Sequence, residues 1–531
     1  MTDYFLGVPP QSMEWELRSN VSRFQSPMGG VTRTLERVGS RWAATWRWDA
    51  VAGENAARLK SFLALMRGGA NRFWAYDPGY TMRGAYSAAE LLTNNTFASG
   101  TTGWTAGGEY TLSAADSVAM SKRNANTGNA LPLIQTTPVT VTQYAPYLAR
   151  LLLIAGRGSY TSFAMRAGIT QASIDYLSDV SLGSGFGLRQ LAFVASSTAA
   201  AIALVDVATG LIAGDYLQVP YTSLAPCALV DNAPNMLLRS NDGANAVWTK
   251  SETTSGNNGT TAPDGTTTDQ NIAETTANAQ HYISQAVTVS SSALDYSAAV
   301  NFRAINRSWA YIQVIEATGS SFIYAFINLA TGAVGTTATG ANWSNLRAFV
   351  QPLGNGWYRL NVVARKTNAA TSLFINIGVS TADNTFNYVG VTSPVAVVWW
   401  HASLAQSSVP ARETLTTSAA TAGAAQTGSA IHLKGLPAST SGLLLAGDWI
   451  EFITPTYSEL KRVTAPLNSD AAGLGYLQVE PILRASPVDN AAVIIRKPMG
   501  RFMLDEPTVK WSQGRAGVYS VSFTAVEDVA A

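Results

Sequence analysis

Apolar and polar residues alternate in short stretches along most of this chain, with turn-forming residues between them. The pattern is clearest towards the C-terminus, where Gly, Pro, Asn or Asp separate GDWIEFITP, ELKRVTAPL, GYLQVEPIL, AAVIIRKPMGRFML and AGVYSVSFTAVED. Alternation places every second side chain on one face of a strand, so that one face can be buried. These stretches predict a β-meander.

One segment follows a helical period instead. In GENAARLKSFLALMRGG, apolar residues recur at intervals of three and four, at Leu59, Phe62, Leu63 and Met66. Gly68 and Gly69 can end the helix, because glycine adopts the left-handed C-cap conformation without steric cost. We therefore predict an amphipathic helix in the first part of the chain.

Strands are predicted on both sides of this helix. Before it, TRTLERVGSRWAATWRWDA alternates as one or two strands, with Trp42, Trp46 and Trp48 on one face. After it, NRFWAYDPG predicts a strand that is broken by a turn at Asp77-Pro78-Gly79.

Composition indicates several folded domains. A chain of 531 residues suggests three or four domains at about 150 residues each. Hydrophobic residues make up 47% and charged residues 13%, so packed cores are expected and wholesale disorder is not. The net charge of +1 gives no reason to expect nucleic acid or an anionic membrane as the main partner.

Cysteine usage and the apolar runs bear on the compartment. The single cysteine, Cys227, excludes an intramolecular disulfide framework and a cysteine-based zinc cage, and it favours folding in a reducing cytoplasm. MTDYFLGVPPQSMEWELRSN contains no apolar run typical of a signal peptide. The run from Leu148 to Ala155 is interrupted by Arg150 and is too short to cross a bilayer, so no membrane span is predicted.

Charge density changes twice along the chain. Residues 1–88 hold 11 Lys and Arg and 7 Asp and Glu, residues 427–531 hold 9 and 10, and the 338 residues between them hold the other 32 charges. Two similar ends around a different middle predict one body domain (1–88 and 427–531) interrupted by an insertion. The alternative is that the two flanks are separate domains.

The middle of the chain predicts two inserted modules, at 89–231 and 235–415. Residues 89–108 and 235–252 share an apolar pair, a turn and a later tryptophan, namely Trp104 and Trp248. Near their ends, residues 220–226 and 400–406 share a Ser-Leu-Ala step. Two matches in the same order favour a duplicated architecture.

The second insert resembles a known class of module. Its phrases MLLRSNDGANAVWTKSETTSGNNGTTAPDGTTTDQNIAET, HYISQAVTV, LGNGWYRLNVVARKT and VVWWHASLAQSSVPARETL occur in that order between residues 235 and 414. They resemble the jelly-roll, carbohydrate-binding-like modules of bacteriophage tail and baseplate proteins. The resemblance implies a binding module rather than a catalytic one.

The flanks resemble the distal tail proteins of long-tailed phages. The phrases concerned are LKSFLALMRGGANRFWAYDP in the first flank and LLAGDWIEF, LQVEPILRASP, IIRKPMGRFMLDEP and AGVYSVSFTAVED in the last. The resemblance implies a mostly β fold, with a split sandwich or barrel body that carries one helix and is interrupted by two β-sandwich jelly-roll modules. It also implies a homo-oligomeric ring of six copies in the virion tail tip, bound to the tail tube protein and to other baseplate proteins.

Residues for catalysis are hard to find in this sequence. His281, His401 and His432 each lie in a strand-like stretch without metal-ligand spacing, and His401 follows two tryptophans. Asp505 and Glu506 are adjacent, so on a strand they would point to opposite faces, and a solvated turn is the simpler interpretation. No phosphate loop, nucleophile elbow or dinucleotide fingerprint occurs. We therefore predict no enzyme, no catalytic residue and no cofactor.

Asp264 and Asp269, in APDGTTTDQN, allow two interpretations. Loop carboxylates hold a structural calcium ion in many jelly-roll sugar modules. An Asp-Gly turn with side-chain-to-backbone hydrogen bonds explains the same residues, and EF-hand spacing is absent. The turn is favoured, and no metal site is predicted.

A glycan-binding face is predicted in NFRAINRSWAYIQVIEA. Here Trp309, Tyr311 and Gln313 share one strand face near Arg303 and Arg307, while Ala310 and Ile312 take the core face. Aromatic rings stack on the C–H face of a pyranose, and polar groups bind its hydroxyls. The alternative is that one or both rings are buried between sheets. Trp104, Trp248, Trp357 and Trp399 are predicted to be core residues.

The sequence is compatible with three functions, of which one is favoured. The leading prediction is a structural tail-tip ring that joins the tail tube to the baseplate, with outward modules that contact host-surface glycans through many weak interactions. A receptor-binding fibre that recognises host polysaccharide is the first alternative. The second is a polysaccharide-degrading enzyme, because carboxylates brought together by folding leave no sequence signature.

Overall fold

A computed structural model gives the fold of this chain. It describes residues 3–5, 8–25, 32–36, 39–86, 89–115, 118–124, 130–153, 155–157, 163–170, 177–179, 187–206, 213–317, 319, 321–391, 395–412, 414–418, 426–453, 458–514 and 517–528. Strands account for 54% and helices for 4%, with β-sandwich sheets and a six-stranded barrel, so the predicted mostly β class is confirmed.

The first part of the chain forms six strands and, within the described residues, one α-helix. These elements are β1 (Asp3–Phe5), β2 (Ser12–Arg18), β3 (Val21–Gln25), β4 (Thr32–Glu36), β5 (Arg41–Val51), α1 (Gly53–Met66) and β6 (Arg72–Ala75). The predicted boundary at residue 88 lies outside the described residues.

The next stretch forms thirteen described strands of the first insert and one strand that follows them. They are β7 (Trp104–Gly107), β8 (Tyr110–Ala115), β9 (Val118–Arg123), β10 (Ala130–Gln135), β11 (Val139–Thr140), β12 (Pro146–Leu153), β13 (Ala155–Arg157), β14 (Phe163–Gly168), β15 (Leu177–Asp179), β16 (Gly187–Val194), β17 (Ala199–Asp206), β18 (Tyr216–Val219), β19 (Tyr221–Pro226) and β20 (Ala228–Val230).

The second insert has fourteen described strands. They are β21 (Thr249–Ser251), β22 (Thr253–Thr254), β23 (Gln270–Glu274), β24 (Asn278–Ala279), β25 (His281–Thr288), β26 (Asp295–Ala304), β27 (Trp309–Glu316), β28 (Phe322–Asn328), β29 (Ala333–Thr339), β30 (Trp343–Gly354), β31 (Trp357–Lys366), β32 (Ser372–Ser380), β33 (Tyr388–Val389) and β34 (Val395–Ala405).

The last part of the chain adds eight described strands. They are β35 (Gly428–Lys434), β36 (Trp449–Ile453), β37 (Ser458–Val463), β38 (Gly475–Leu483), β39 (Ala492–Ile494), β40 (Gly500–Leu504), β41 (Lys510–Gln513) and β42 (Tyr519–Glu527).

Strands from both ends of the chain form one seven-stranded sheet. Its order is β1-β6-β40-β42-β5-β2, and β41 also pairs with β42. The C-terminal strand β42 lies between β40 and β5, with Ala525 opposite Ala44. Neither end of the chain can therefore complete this sheet alone.

Helix α1 packs on this body sheet through the predicted stripe. Leu59, Phe62, Leu63 and Met66 are buried, in one core with Trp42, Trp46 and Trp48 of β5. The left-handed conformation begins one residue earlier than predicted, at Arg67 (φ 46°), and continues at Gly68 (φ 62°). The predicted turn at Asp77 is present, because its carboxylate accepts a hydrogen bond from the Gly79 N–H at 2.9 Å.

A closed barrel is the second part of the body. Its order is β20-β35-β38-β37-β36-β39, and its core includes Ile431, Phe452 and Val479. Strand β20 comes from the segment between the two inserts and pairs with β35 and β39. The range 89–231 predicted for the first insert therefore ends with a strand that belongs to the barrel.

The first insert packs firmly against this body. Three sheets share its core, to which Leu133, Leu151 and Leu217 each contribute from a different sheet. Leu148 of β12 also packs against the barrel residues Leu229 and Ile494. Beside them, Arg150 forms an ion pair with Glu451 at 2.9 Å, and both side chains are buried.

The second insert is a sandwich of two six-stranded sheets. The sheet orders are β21-β25-β32-β27-β28-β29 and β22-β23-β34-β26-β31-β30. Both inner faces contribute to one core, for example Ile312 and Ile375 from the first sheet and Val300 and Leu360 from the second. The two ends of the insert lie together, because Asn235 Nδ2 donates to the Thr414 carbonyl at 2.9 Å.

Candidate ligand-binding face of the second insert

The predicted glycan-binding strand, β27, lies within the first sheet of the second insert. Ala310, Ile312 and Val314 are buried in the sandwich core, as alternation predicts. Trp309, Tyr311 and Gln313 therefore point to the opposite, outer face of the sheet. We call this surface, formed by β25, β32, β27 and β28 with the loop 381–387, the outer face.

A row of hydrogen-bonded polar side chains crosses the outer face. Ser284, Asn376 and Gln313 lie side by side on β25, β32 and β27. Ser284 Oγ donates to Asn376 Oδ1 at 2.6 Å, and Asn376 Nδ2 donates to Gln313 Oε1 at 2.9 Å. Gln313 is half-buried, and its Nε2 donates to no residue in the described part of the chain. These two N–H donors can serve a ligand.

Aromatic rings surround this polar row. Tyr311 contacts Phe326 and Phe386, with ring centroids 5.2 and 5.0 Å apart. Tyr324 is half-buried, and its ring lies 5.0 Å from Phe386 and 5.7 Å from the stacked ring of Phe322. The cluster combines buried rings with partly exposed ones, as in sites that bind a sugar face.

Tyr311 is not available as a contact surface. It is fully buried, although it lies on the outer face rather than between the sheets. Phe386 covers it, and Gly378 leaves room for its ring, because a Cβ at that glycine would overlap the ring. Tyr311 therefore supports the outer face from below, while Trp309 and Gln313 stay candidates for ligand contact.

Hydrogen bonds hold the loop 381–387 over this cluster. Asp383 accepts bonds from the N–H and the hydroxyl of Thr336, at 2.8 and 2.9 Å. The Tyr324 hydroxyl donates to Asn384 Oδ1 at 3.0 Å. Next to the loop, Gly335 allows β29 to approach the half-buried Trp309 ring closely. The exposed part of the outer face is therefore held in place before any ligand arrives.

Arg303 and Arg307 were predicted to lie near the outer face, but both have partners elsewhere. Arg303 belongs to β26 of the other sheet, where its guanidinium lies 5.0 Å from the Trp357 ring centroid and bonds to Thr260. Arg307 binds the carboxylate of Glu274, with Nε at 3.0 Å. Both partners are distant in sequence, so the local pattern around β27 could not reveal them.

The carboxylates of Asp264 and Asp269 accept hydrogen bonds from protein donors. Asp264 Oδ1 accepts bonds from the Thr266 N–H at 2.9 Å and from its hydroxyl at 2.7 Å. Asp269 is buried and accepts bonds from the N–H of Thr260 at 2.8 Å and from Asn258 Nδ2 at 3.3 Å. The bonds from Thr266 to Asp264 are the side-chain-to-backbone and side-chain contacts of the predicted Asp-Gly turn.

The three histidines lie apart from one another. The His281 ring nitrogens face the carbonyl oxygens of Glu252 and Tyr388, at 2.8 and 3.4 Å. His401 stacks on Trp400 with centroids 3.8 Å apart, and His432 packs edge-on against Tyr476. Burial, and then the nearby charge of Arg412, lower the pKa of His432. Within the described residues, no three His, Cys, Asp or Glu side chains are grouped to hold a metal ion.

The remaining predicted residues have structural partners. Trp104, Trp248, Trp357 and Trp399 are buried, as predicted. Asp505 forms two hydrogen bonds with the guanidinium of Arg18, at 2.9 and 2.7 Å, so it is more constrained than the predicted solvated turn. No helix in the described part of the chain is long and apolar enough to cross a membrane.

Comparisons with known proteins add little to this geometry. No protein-family model matches the chain, and no curated protein does. A solved tandem of two carbohydrate-binding modules, CBM22-1 and CBM22-2 of Xyn10C from Paenibacillus barcinonensis, aligns with 61% of this chain and 99% of its own at 9% identity. The TM-score of 0.20 is too low to assign a shared fold or function from this alignment.

Proposed function

We propose that this chain is a structural, non-catalytic protein of a phage tail tip. In this proposal its split body assembles into a ring of six copies that joins the tail tube to the baseplate. The second insert presents its outer face to glycans on the host surface. The proposal rests on the phrases that resemble distal tail proteins, on the sheet shared by both chain ends, and on the outer face.

An exposed hairpin supports self-assembly of the body. Among the described strands, β3 and β4 pair only with each other, and Phe24 and Leu35 are 64% and 58% exposed. The register places both side chains on one face, with Ser22 and Arg33. An isolated two-stranded hairpin is marginally stable in water, so the exposed Phe24 and Leu35 are suited to packing against a neighbouring subunit.

Assembly can be tested with a double substitution in this hairpin. We expect the purified chain to form a closed ring, alone or with the tail tube protein of the same phage, as measured by light scattering and electron microscopy. The variant Phe24→Ser/Leu35→Ser should shift the population to monomers. Val488→Ser, which removes an exposed apolar side chain from the barrel, is the matched control. A wild-type chain that stays monomeric in both conditions would contradict the ring, and a trimer would favour a receptor-binding fibre.

The outer face supports the glycan contact. Its partly exposed Trp309 and Tyr324 rings can pack on the apolar face of a pyranose, and Gln313 can donate hydrogen bonds to its hydroxyls. Single contacts of this kind are weak, but several copies in a ring would bind a polysaccharide together.

Glycan binding can be tested on the assembled protein with polysaccharide purified from the host envelope. We expect Trp309→Ala and Gln313→Ala each to weaken binding by roughly tenfold, corresponding to about 1.4 kcal/mol. Trp511→Ala removes a half-exposed tryptophan from the body and should leave binding unchanged. If Trp309→Ala and Gln313→Ala bind the polysaccharide as tightly as the wild-type protein does, the outer face is excluded as the contact surface. Release of oligosaccharides during the assay would instead indicate an enzyme.

A further inference from the structure

A cleft of about 490 Å³ lies where the body sheet meets the barrel. None of its residues belongs to the second insert, which carries the outer face. Trp15 and Tyr76 contribute from the body, and Trp449 and Ile495 from the barrel. The volume falls within the range of small-molecule sites, which is roughly 300–1,000 Å³. The cleft is therefore large enough for a small organic ligand.

Aromatic side chains form the walls of this cleft. Trp15 is half-buried, and its ring lies 4.8 Å from that of the buried Trp449. Its Nε1 donates to Asp77 at 3.2 Å, and the Tyr80 hydroxyl donates to Asp448 at 3.2 Å. Because these polar atoms already have partners, the walls offer mainly flat apolar surface to a ligand.

Two cationic side chains line the cleft, Arg496 and Lys497, and they differ in their partners. The Lys497 Nζ lies 5.5 Å from the Tyr76 ring centroid, and no carboxylate in the described part of the chain is within 4.0 Å of it. The neighbouring Arg496, by contrast, has Glu90 at 3.6 Å. Burial, and then the charge of Arg496, lower the pKa of Lys497. The charge of Glu90 opposes this lowering without forming an ion pair with Lys497. An ammonium that loses water without a directly paired carboxylate is destabilised, and a bound anion would offset that cost.

The backbone holds Lys497 in a strained conformation. Its φ is 43°, in the left-handed region, and it precedes Pro498, where helical conformations are disfavoured. Strained residues of this kind are concentrated at ligand-binding sites. The residue in this conformation carries the ammonium that lies 5.5 Å from the Tyr76 ring centroid.

We propose that this cleft binds a carboxylate joined to a flat apolar group, with the Lys497 ammonium bound to the carboxylate and the rings of Trp15 and Tyr76 packed against the apolar group. A sugar acid fits less well, because most polar atoms of the walls are engaged. None of the residues that line the cleft belongs to the outer face or to the hairpin of β3 and β4.

Titration of the 531-residue chain with phenylacetate tests the proposal, with neutral phenylacetamide as the matched ligand. We expect phenylacetate to bind and the amide to bind at least tenfold more weakly. Lys497→Gln should remove the preference for the carboxylate, and Lys497→Arg should retain it. Lys510→Gln, on the exposed strand β41, serves as the control. Thermal unfolding of each variant establishes that it is folded.

Three outcomes would overturn the proposal. They are no binding of phenylacetate by the wild-type protein, equal binding of the acid and the amide, and unchanged preference for the acid in a folded Lys497→Gln variant. Tighter binding of glucuronate than of phenylacetate would overturn the apolar part of the assignment and indicate a sugar site instead.

Discussion

At the residue scale, Arg150 shows how a single charge can join two parts of the molecule. In the sequence it interrupts an apolar run, which counts against a membrane span. In the structure its buried guanidinium donates to Glu451 at 2.9 Å, and Glu451 also accepts bonds from Ser458 at 2.6 Å and from the Met499 N–H at 2.8 Å. The pair connects the first insert to the barrel.

We predict that Glu451→Gln destabilises this junction by about 3–5 kcal/mol, because it leaves the Arg150 charge buried without a counter-charge. Urea unfolding, followed at the transition that includes the barrel, measures the loss. Glu54→Gln is the control, since Glu54 pairs with Arg58 on the exposed surface of α1, where such pairs contribute about 0–1 kcal/mol. If Glu451→Gln and Glu54→Gln lose similar free energies of unfolding, burial of the Arg150 pair does not explain the destabilisation.

A second prediction concerns the loss of folding stability at low pH. The hydrogen bond from Arg18, opposed by burial, lowers the pKa of Asp505 below its usual value of 3.8. A carboxyl group with a lower pKa in the folded state adds stability above its unfolded pKa, and this is lost as the pH falls through the folded pKa. Between about pH 7 and about pH 3, Arg18→Gln should therefore lose less stability than the wild-type protein.

Urea midpoints across that pH range provide the measurement. Arg47→Gln removes another surface arginine, which pairs with Glu14 at 3.3 Å, and should keep the wild-type pH dependence. An Arg18→Gln profile that is parallel to the wild-type profile would show that the Asp505 pair does not contribute.

At the element scale, local periodicity predicted most of the elements that the structure contains. One or two strands were predicted before the helix, and the structure has two there, β4 and β5. The strand predicted after the helix, in NRFWAYDPG, is β6. The same alternation placed Trp309 and Gln313 on the outer face. It could not show that Tyr311 is buried there, because Phe386 and Gly378 come from elements more than sixty residues away.

Strand β32 provides a test of this packing. Gly378→Ala should destabilise the second insert by about 1–3 kcal/mol, because a Cβ would overlap the Tyr311 ring and displace Phe386. The midpoint of thermal unfolding and the near-ultraviolet circular dichroism report the change. Gly256→Ala is the matched control, since a Cβ there meets no atom within 4 Å. A Gly378→Ala variant as stable as Gly256→Ala would show that this close approach is unimportant.

At the scale of the whole molecule, the body sheet depends on both ends of the chain. Strand β42 separates β40 from β5, and β40 pairs with β6. A change in charge density along the sequence indicated that the two flanks belong together, but not which strands pair. Pairing over such separations depends on complementary faces and on the position of the inserts, which no local window contains.

We predict that deletion of residues 500–531 unfolds the body sheet and leaves the second insert folded. Hydrogen exchange should become fast in Arg41–Val51 and in Arg72–Ala75, because both strands lose a hydrogen-bonded neighbour. Exchange in β27 and β32 should stay slow, since all their partners lie within the insert. Slow exchange throughout Arg41–Val51 after the deletion would contradict this dependence.

The amino-acid pattern by itself determined the mostly β class, the position of the helix, the buried tryptophans and the outward direction of Trp309 and Gln313. These properties are local, because side chains repeat every two residues in a strand and every 3.6 in a helix. Only the tertiary structure decided that β20 enters the barrel, that Tyr311 is covered, and that Lys497 faces an aromatic cleft. Those outcomes depend on contacts between distant residues, such as Tyr311 and Phe386, which are 75 positions apart.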